Sequence, residues 1–308
     1  MTIVTRPSVT GTAATLALTG LAPLVWGSTY AITTEFLPPD RPMFTALVRV
    51  LPAGLLLLAI TRKLPHGEWV WKAGILGLLN MGAFMPLLFL AAYRLPGGVA
   101  AVLGAAAPLI ALGFAALALN ERLTLRKLLA AVIGMAGVAL VVLRATAALD
   151  TIGIIAGLGG AASMAAGTVM TKRWGRPEGV KPLAMTAWQL IAGGLVLVPI
   201  AFLVEGMPPA LDGRAIGGYL YLVIIGTALA YAIWFRGLAR ANATSVAFLG
   251  LLSPLSAAVI GWLALGQSLA PLQVLGMAIA LGGTLLGQTA TTPKPVTEPV
   301  KETARVAA

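Results

Sequence analysis

The chain has 308 residues, 59% hydrophobic and only 10% charged, with a mean hydropathy of +0.94. Soluble domains are about a quarter charged, so this balance excludes one and makes the bilayer the solvent. The net charge of +11 marks no basic cluster on a soluble domain, which argues against a nucleic-acid partner, and the lack of Cys excludes disulfides and thiolate chemistry.

Ten apolar stretches follow in chain order, at 12–34, 42–61, 72–92, 96–119, 125–143, 152–171, 183–204, 215–235, 243–265 and 270–289. Each is long enough to cross a bilayer. The first is too long for the apolar region of a signal peptide, and nine more follow it, so it reads as a span. Residues 1–11 form an N-terminal tail, and 291–308, rich in Pro, Thr, Lys, Glu and Ala without an apolar period, a disordered one. The only His, His66, lies in a loop, which excludes His-dependent chemistry within the membrane, and no metal or cofactor is expected.

Pairing residues 76–140 with 222–286 without a gap gives seventeen identities in sixty-five pairs. Composition alone would give roughly six, so the chain carries an internal duplication. Phe89 pairs with Phe235, Arg94 with Arg240, Gly104 with Gly250, Pro108 with Pro254 and Gly137 with Gly283. The repeats, 12–146 and 147–290, hold five spans each, and an odd number forces them into opposite orientations. The expected fold is an all-α integral membrane protein of ten transmembrane helices in two inverted five-helix repeats, an arrangement of transporters. Sixteen Lys and Arg residues fall on one side of these spans and four on the other, which places both termini in the cytoplasm.

Within the spans, Pro108 and Pro254 stand near mid-membrane at matching positions, and each withholds a donor from the carbonyl four residues earlier, of Gly104 and Gly250. Irregular backbone at that depth is tolerated where it lines a cavity, so the two prolines are candidate hinges and the two glycine carbonyls candidate acceptors for a substrate ammonium group. Packing kinks are the plainer alternative. Trp26, Tyr30, Phe84, Met85, Met164, Trp188, Tyr231 and Phe248 are candidate cavity-lining residues that would favour an apolar or aromatic ligand, against the alternative of interfacial or bundle packing. Arg49 is a costly cation within a span, a candidate for gating, substrate contact or structural hydrogen bonding. No acid lies mid-span, so its expected partners are carbonyls, Asn80 or a substrate carboxylate; aligning Ala53-Gly54-Leu55 with Gly193-Gly194-Leu195 places Gln189 opposite it in the second repeat. The same absence favours facilitated transport over proton coupling. Small residues four apart, Ala130 and Gly134, Gly276 and Ala280, Ala278 and Gly282, predict close helix contact in a scaffold of spans 5 and 10.

Trp26-Gly-Ser-Thr-Tyr30, Arg49, the run from Pro108 to Asn120-Glu121-Arg122, and Ala230-Tyr231-Ala-Ile-Trp234 resemble the drug/metabolite transporter superfamily, and within it the EamA-type ten-helix members. Over its whole length the chain is similar to bacterial YddG-type amino-acid exporters. The resemblance implies export of small metabolites, aromatic or other amino acids or amphipathic drugs, through a central cavity in the inner membrane. Gln267 departs from the acid found there in many relatives. The expected partners are a small-molecule substrate and the lipid bilayer, and nothing requires more than a monomer. The rival classes are a passive channel, a non-transporting receptor or scaffold, and a membrane hydrolase, which the lack of an intramembrane His disfavours.

Overall fold

The computed structural model describes residues 9–39, 41–94, 103–142, 150–207, 210–266 and 270–289, and among them every regular element is helical. Helix α1 is Val9–Phe36, α2 Pro42–Thr61 and α3 runs over 69–94; α4 is Ala107–Leu119, α5 Leu125–Val142, α6 Thr151–Trp174 and α7 Pro182–Glu205. Helix α8 is Gly213–Leu238, α9 spans 243–265 and α10 is Pro271–Thr289. Eight of these are long and apolar enough to cross a membrane, and α4 is a shorter apolar helix. Both termini, residues 1–8 of the expected N-terminal tail, the C-terminal tail and Gln267 lie outside the described residues, as does the side chain of Tyr30, whereas residues 9–11, expected in the tail, belong to α1.

Apart from the start of α4, at Ala107 where the run begins at 96, helix ends agree with the apolar runs to within about three residues, because run length is set by the hydrocarbon thickness and the polar groups beyond it. The interiors are less regular. In α3 a π turn occupies Leu78–Ala83, and in α8 another occupies Ile224–Leu229, the same stretch displaced by the repeat offset of 146. A π turn widens the helix by one residue and leaves a carbonyl without its ordinary partner. Pro86 follows only the first of them, and Ala232 stands at the matching place in α8, so proline is not the cause of both.

Helix α9 is broken at Gly250–Leu251, between Ala243–Leu249 and Leu252–Leu265, and α4 begins after a turn at Ala105–Ala106. Pro108 and Pro254 thus sit in the first turn of the helix that follows each break, where a missing N–H removes nothing from the ladder. One expectation is corrected here. The Gly250 carbonyl is not left over, since the Ser253 N–H donates to it at 3.1 Å.

Packing mixes the repeats. Helix α1 packs on α8 and α9, and α6 packs on α3 and α4, while α2 faces α7 and α5 faces α10. Exchanging the two halves of the chain maps this pattern onto itself. At the α2–α7 crossing, a Cβ on Gly54 would meet Ile191 and Leu190 at 2.8–2.9 Å, and one on Gly194 would meet Leu51 at 2.8 Å, so the crossing requires glycine on both sides. The α5–α10 seam brings the Gly137 and Gly134 backbones against Gly276, Ala280 and Gly283. Gly282, expected at such a contact, faces open space, and Ala278 is exposed.

Candidate functional site

The π turn of α8 sits where a large buried cluster meets α1 and α2. Its Gly226 carbonyl accepts from the Trp26 Nε1–H at 3.1 Å and from the Arg49 guanidinium at 3.3 Å, and the Arg49 Nε–H donates to the Thr227 hydroxyl at 3.2 Å. Arg49 is only 4% exposed, and these contacts tie its guanidinium to the π turn. Backbone and hydroxyl dipoles that the widened helix makes available help to stabilise its charge within the membrane. A carbonyl, one of the expected partners, is found.

Above this polar contact lies an aromatic group. The Trp26 ring is 4.9 Å from Tyr231 and 5.1 Å from Trp234, centroid to centroid, and Tyr231 stacks on Phe235 at 5.9 Å. Tyr231, Trp234 and Phe235 are buried, with Phe84, Met85 and Met164 in the same cluster. In this structure these residues pack against one another rather than forming the open lining anticipated for them.

On the other side of the molecule the π turn of α3 meets α6 and α7. The Leu79 carbonyl, inside the turn, accepts from the Ser163 hydroxyl at 2.7 Å. Asn80 donates through Nδ2 to Gln189 Oε1 at 2.8 Å and to Thr171 Oγ1 at 3.3 Å, while the Thr171 hydroxyl donates to the Gly167 carbonyl at 2.7 Å. The last bond fixes the direction of the others. Because the Thr171 proton is spent on Gly167, its oxygen accepts, so Asn80 turns its amide nitrogen toward Thr171 and Gln189 turns its oxygen toward Asn80. Asn80 Oδ1 and Gln189 Nε2 are then left without partners among the described residues, although the two side chains are 0% and 1% exposed.

Arg49 lies seven residues into α2 and Gln189 seven residues into α7, each roughly 10 Å from the start of its helix. The alignment that placed them opposite each other therefore has a structural meaning: each reaches the π turn of a helix in the other repeat. A recess of about 210 Å³ ends at Gln189 and is lined by Thr171, Lys172 and Arg176 of α6 and its end, Met185 of α7 and Phe235 of α8. At the far end of α7 the chain is tied shut. Glu205 accepts from the Met43 and Phe44 N–H groups at 2.6 and 2.9 Å, and Arg41 donates to the Glu205 carbonyl.

Three expected site residues lie elsewhere. Trp188 donates to the Lys63 carbonyl at 2.6 Å and packs with Trp69, Leu76 and Met185 at the end of the bundle. Phe248 is buried against Gly287 in the cluster that joins α5, α9 and α10. Gly104 is exposed, with open space where a Cβ would point. Reasoning from sequence missed Thr227, Thr171, Glu205 and the cations of the recess. Thr227 and Thr171 were findable as hydroxyls within apolar spans, and Glu205 as an acid closing one.

Residues 13–143 and 151–287 each match the EamA-like transporter family. Protein PecM of Dickeya dadantii (strain 3937) is 43% identical over 267 residues, which are 87% of this chain and 90% of that protein. The inner membrane transporter YedA of Escherichia coli (strain K12) is 31% identical over 90% of this chain and 92% of its own. A crystal structure superposes with a TM-score of 0.76 over 90% of this chain and 98% of its own, at 17% identity, which supports the fold alone. Eight apolar helices of spanning length, two family matches in tandem and these relatives together make the chain a multi-pass membrane transporter of the EamA-like family, within the drug/metabolite transporter superfamily.

Proposed function

We propose that the protein exports small metabolites, amino acids with aromatic or other hydrophobic side chains foremost, from the cytoplasm across a bacterial cytoplasmic membrane. In this reading α4 and α5 complete ten spans, the two repeats are inverted and both termini are cytoplasmic. The transport is facilitative and proceeds by alternating access, in which a central site faces one side of the membrane at a time.

The observation that carries the reading is the unequal state of two equivalent places. The Arg49 end of α2 is closed by Trp26, Gly226, Thr227 and the Glu205 tie, whereas the Gln189 end of α7 opens into a recess. With the basic loops in the cytoplasm this is an inward-facing carrier, its outer path sealed by the aromatic cluster. Because α1 packs on α8 and α9, and α6 on α3 and α4, the bodies that rock are mixtures of the two repeats, with α2–α7 and α5–α10 between them. Pro108 and Pro254 start the helices that would swing.

Counterflow of labelled phenylalanine, then of other amino acids, in proteoliposomes with and without a pH gradient tests this. Saturable exchange indifferent to the gradient is expected. Flux that does not saturate would make the protein a pore, and exchange that follows the gradient would make it a proton-coupled exporter.

A further inference from the structure

We propose that Gln189 is the group that grips a carboxylate of the substrate, and that the recess receives its substrate acid end first. The proposal rests on the transporter reading and adds the chemical class. Gln189 is 1% exposed and is one of the residues around the recess, and its buried Nε2 has no acceptor among the described residues. A buried donor left in that state is costly unless something brings it an acceptor. The direction of the Thr171–Asn80–Gln189 network makes this a donor and not an acceptor, so the missing group is an oxygen with lone pairs.

The rim selects among such oxygens. Lys172 and Arg176 line the recess, and among the described residues no acid does. Lys172 Nζ donates to the Leu238 carbonyl at 3.1 Å and Arg176 to the Val180 carbonyl at 3.2 Å. An ammonium has three donors and a guanidinium five, so these carbonyl contacts hold the cations at the mouth without using up their donors. Glu121, whose charge Lys172 feels, is itself engaged by Lys127 at 3.4 Å and by the Thr244 hydroxyl at 2.7 Å. A cationic mouth above an amide donor favours an anionic oxygen over a neutral or cationic ligand. Sites that enclose a drug-sized ligand run to roughly 300–1,000 Å³. The volume here, about 210 Å³, suits a small metabolite or its acid end. Asn80 is a positioning residue: with one N–H donated to Thr171, its other holds the Gln189 oxygen and so aims the nitrogen.

The test is binding, measured by titration on the purified full chain, of phenylalanine, leucine and glutamate, each against its decarboxylated amine. The carboxylates should bind at least about tenfold tighter, the discrimination expected when a buried donor is left unmatched. Gln189→Glu keeps an acceptor for Asn80 but removes the free donor, and should abolish that preference. Asn80→Asp offers an acceptor in place of a donor, turns the Gln189 amide around and should shift preference toward the amines, an inversion that loss of packing would not produce. The double variant Lys172→Gln, Arg176→Gln, outside the buried network, should lower carboxylate affinity several-fold and flatten its dependence on salt. Equal binding of acids and amines, failure of every acid to bind, or a preference that survives Gln189→Glu would overturn the proposal. Counterflow of the amines with no preference for acids would keep the transporter and remove the carboxylate grip; acid-selective binding without counterflow would do the reverse.

Discussion

The π turn of α8 has its loose carbonyl, Gly226, taken by two donors from the first repeat, and the next residue, Thr227, taken by the same arginine. The π turn of α3 has its carbonyl at Leu79 taken by Ser163 of the second repeat, but its polar side chain, Asn80, belongs to a network that ends with a donor and an acceptor unmatched. A duplicated sequence has thus produced one complete site and one incomplete site at the same position. Completion costs little where a helix can be locked, and incompleteness is retained where a group must still be received. On the proposed mechanism, the complete half holds the molecule closed and the incomplete half is poised.

Breaking the complete site should have the largest effect. Arg49→Gln removes the charge and shortens the reach to Gly226 and Thr227, and hydrogen bonds to charged groups are worth about 1.5–3 kcal/mol each. We expect counterflow to fall by about tenfold or more, or the folded yield to drop. The chain has no cysteine, so Ser28→Cys, placed in α1 where Ser28 meets the Tyr221 hydroxyl at 2.7 Å, gives a background-free reporter of the sealed side. Added to that reporter, Arg49→Gln should raise labelling from outside by about tenfold, the equivalent of 1.4 kcal/mol of lost closure. Unchanged labelling and transport would mean that Arg49 holds no gate.

Thr227→Val comes next. It deletes one acceptor and leaves Gly226 in place, and should destabilise by about 1–3 kcal/mol in thermal unfolding of the purified protein. The matching change on the α3 side, Thr171→Val, frees an Asn80 donor that can turn to other acceptors, and should cost less. Equal losses at the two positions would erase the distinction between the sites.

The helices were legible because spans of about twenty apolar residues have one solution in a bilayer, and the duplication was legible because the identities share one offset. Arg49 and Gln189 were legible as polar residues in apolar spans. The π turns were not. Pro86 suggests irregularity in α3 only, yet α8 bears the same turn with Ala232, so the cause is packing between helices and not a local residue. The usable signal was the pair at the 146 offset, Asn80 and Gly226, each the most polar or least covered position of its stretch. Trp188 and Phe248 were misplaced for a related reason. Where a helix is apolar on every face, the sequence does not say which face an aromatic takes, and these two point to the Lys63 loop and to α10.

Pro254→Ala separates hinge from stability. Pro254 stands in the first turn after the break, and the Gly250 carbonyl already has a donor, so restoring an N–H gains little in the observed state. Thermal stability should stay within about 0.5 kcal/mol, while turnover in counterflow falls a few-fold because a continuous helix resists swinging. A fall in stability without one in turnover would make the residue a packing kink.

Trp26→Phe should have a small effect on its own, and for a reason specific to the complete site. The substitution keeps a ring against Tyr231 and Trp234 but deletes the indole donor, and the Gly226 carbonyl retains Arg49 as a second donor, so no buried acceptor is orphaned. The loss should be about 0.5–1 kcal/mol, the net value of one neutral hydrogen bond. In the Arg49→Gln background the same substitution leaves the carbonyl bare, and its cost should rise by about 1–2 kcal/mol, the penalty of an unsatisfied buried group. Two side chains that share an acceptor are coupled in this way, and a double-mutant cycle measures it. Strict additivity would show that Trp26 contributes only its ring, and that the closure of this half rests on Arg49 alone.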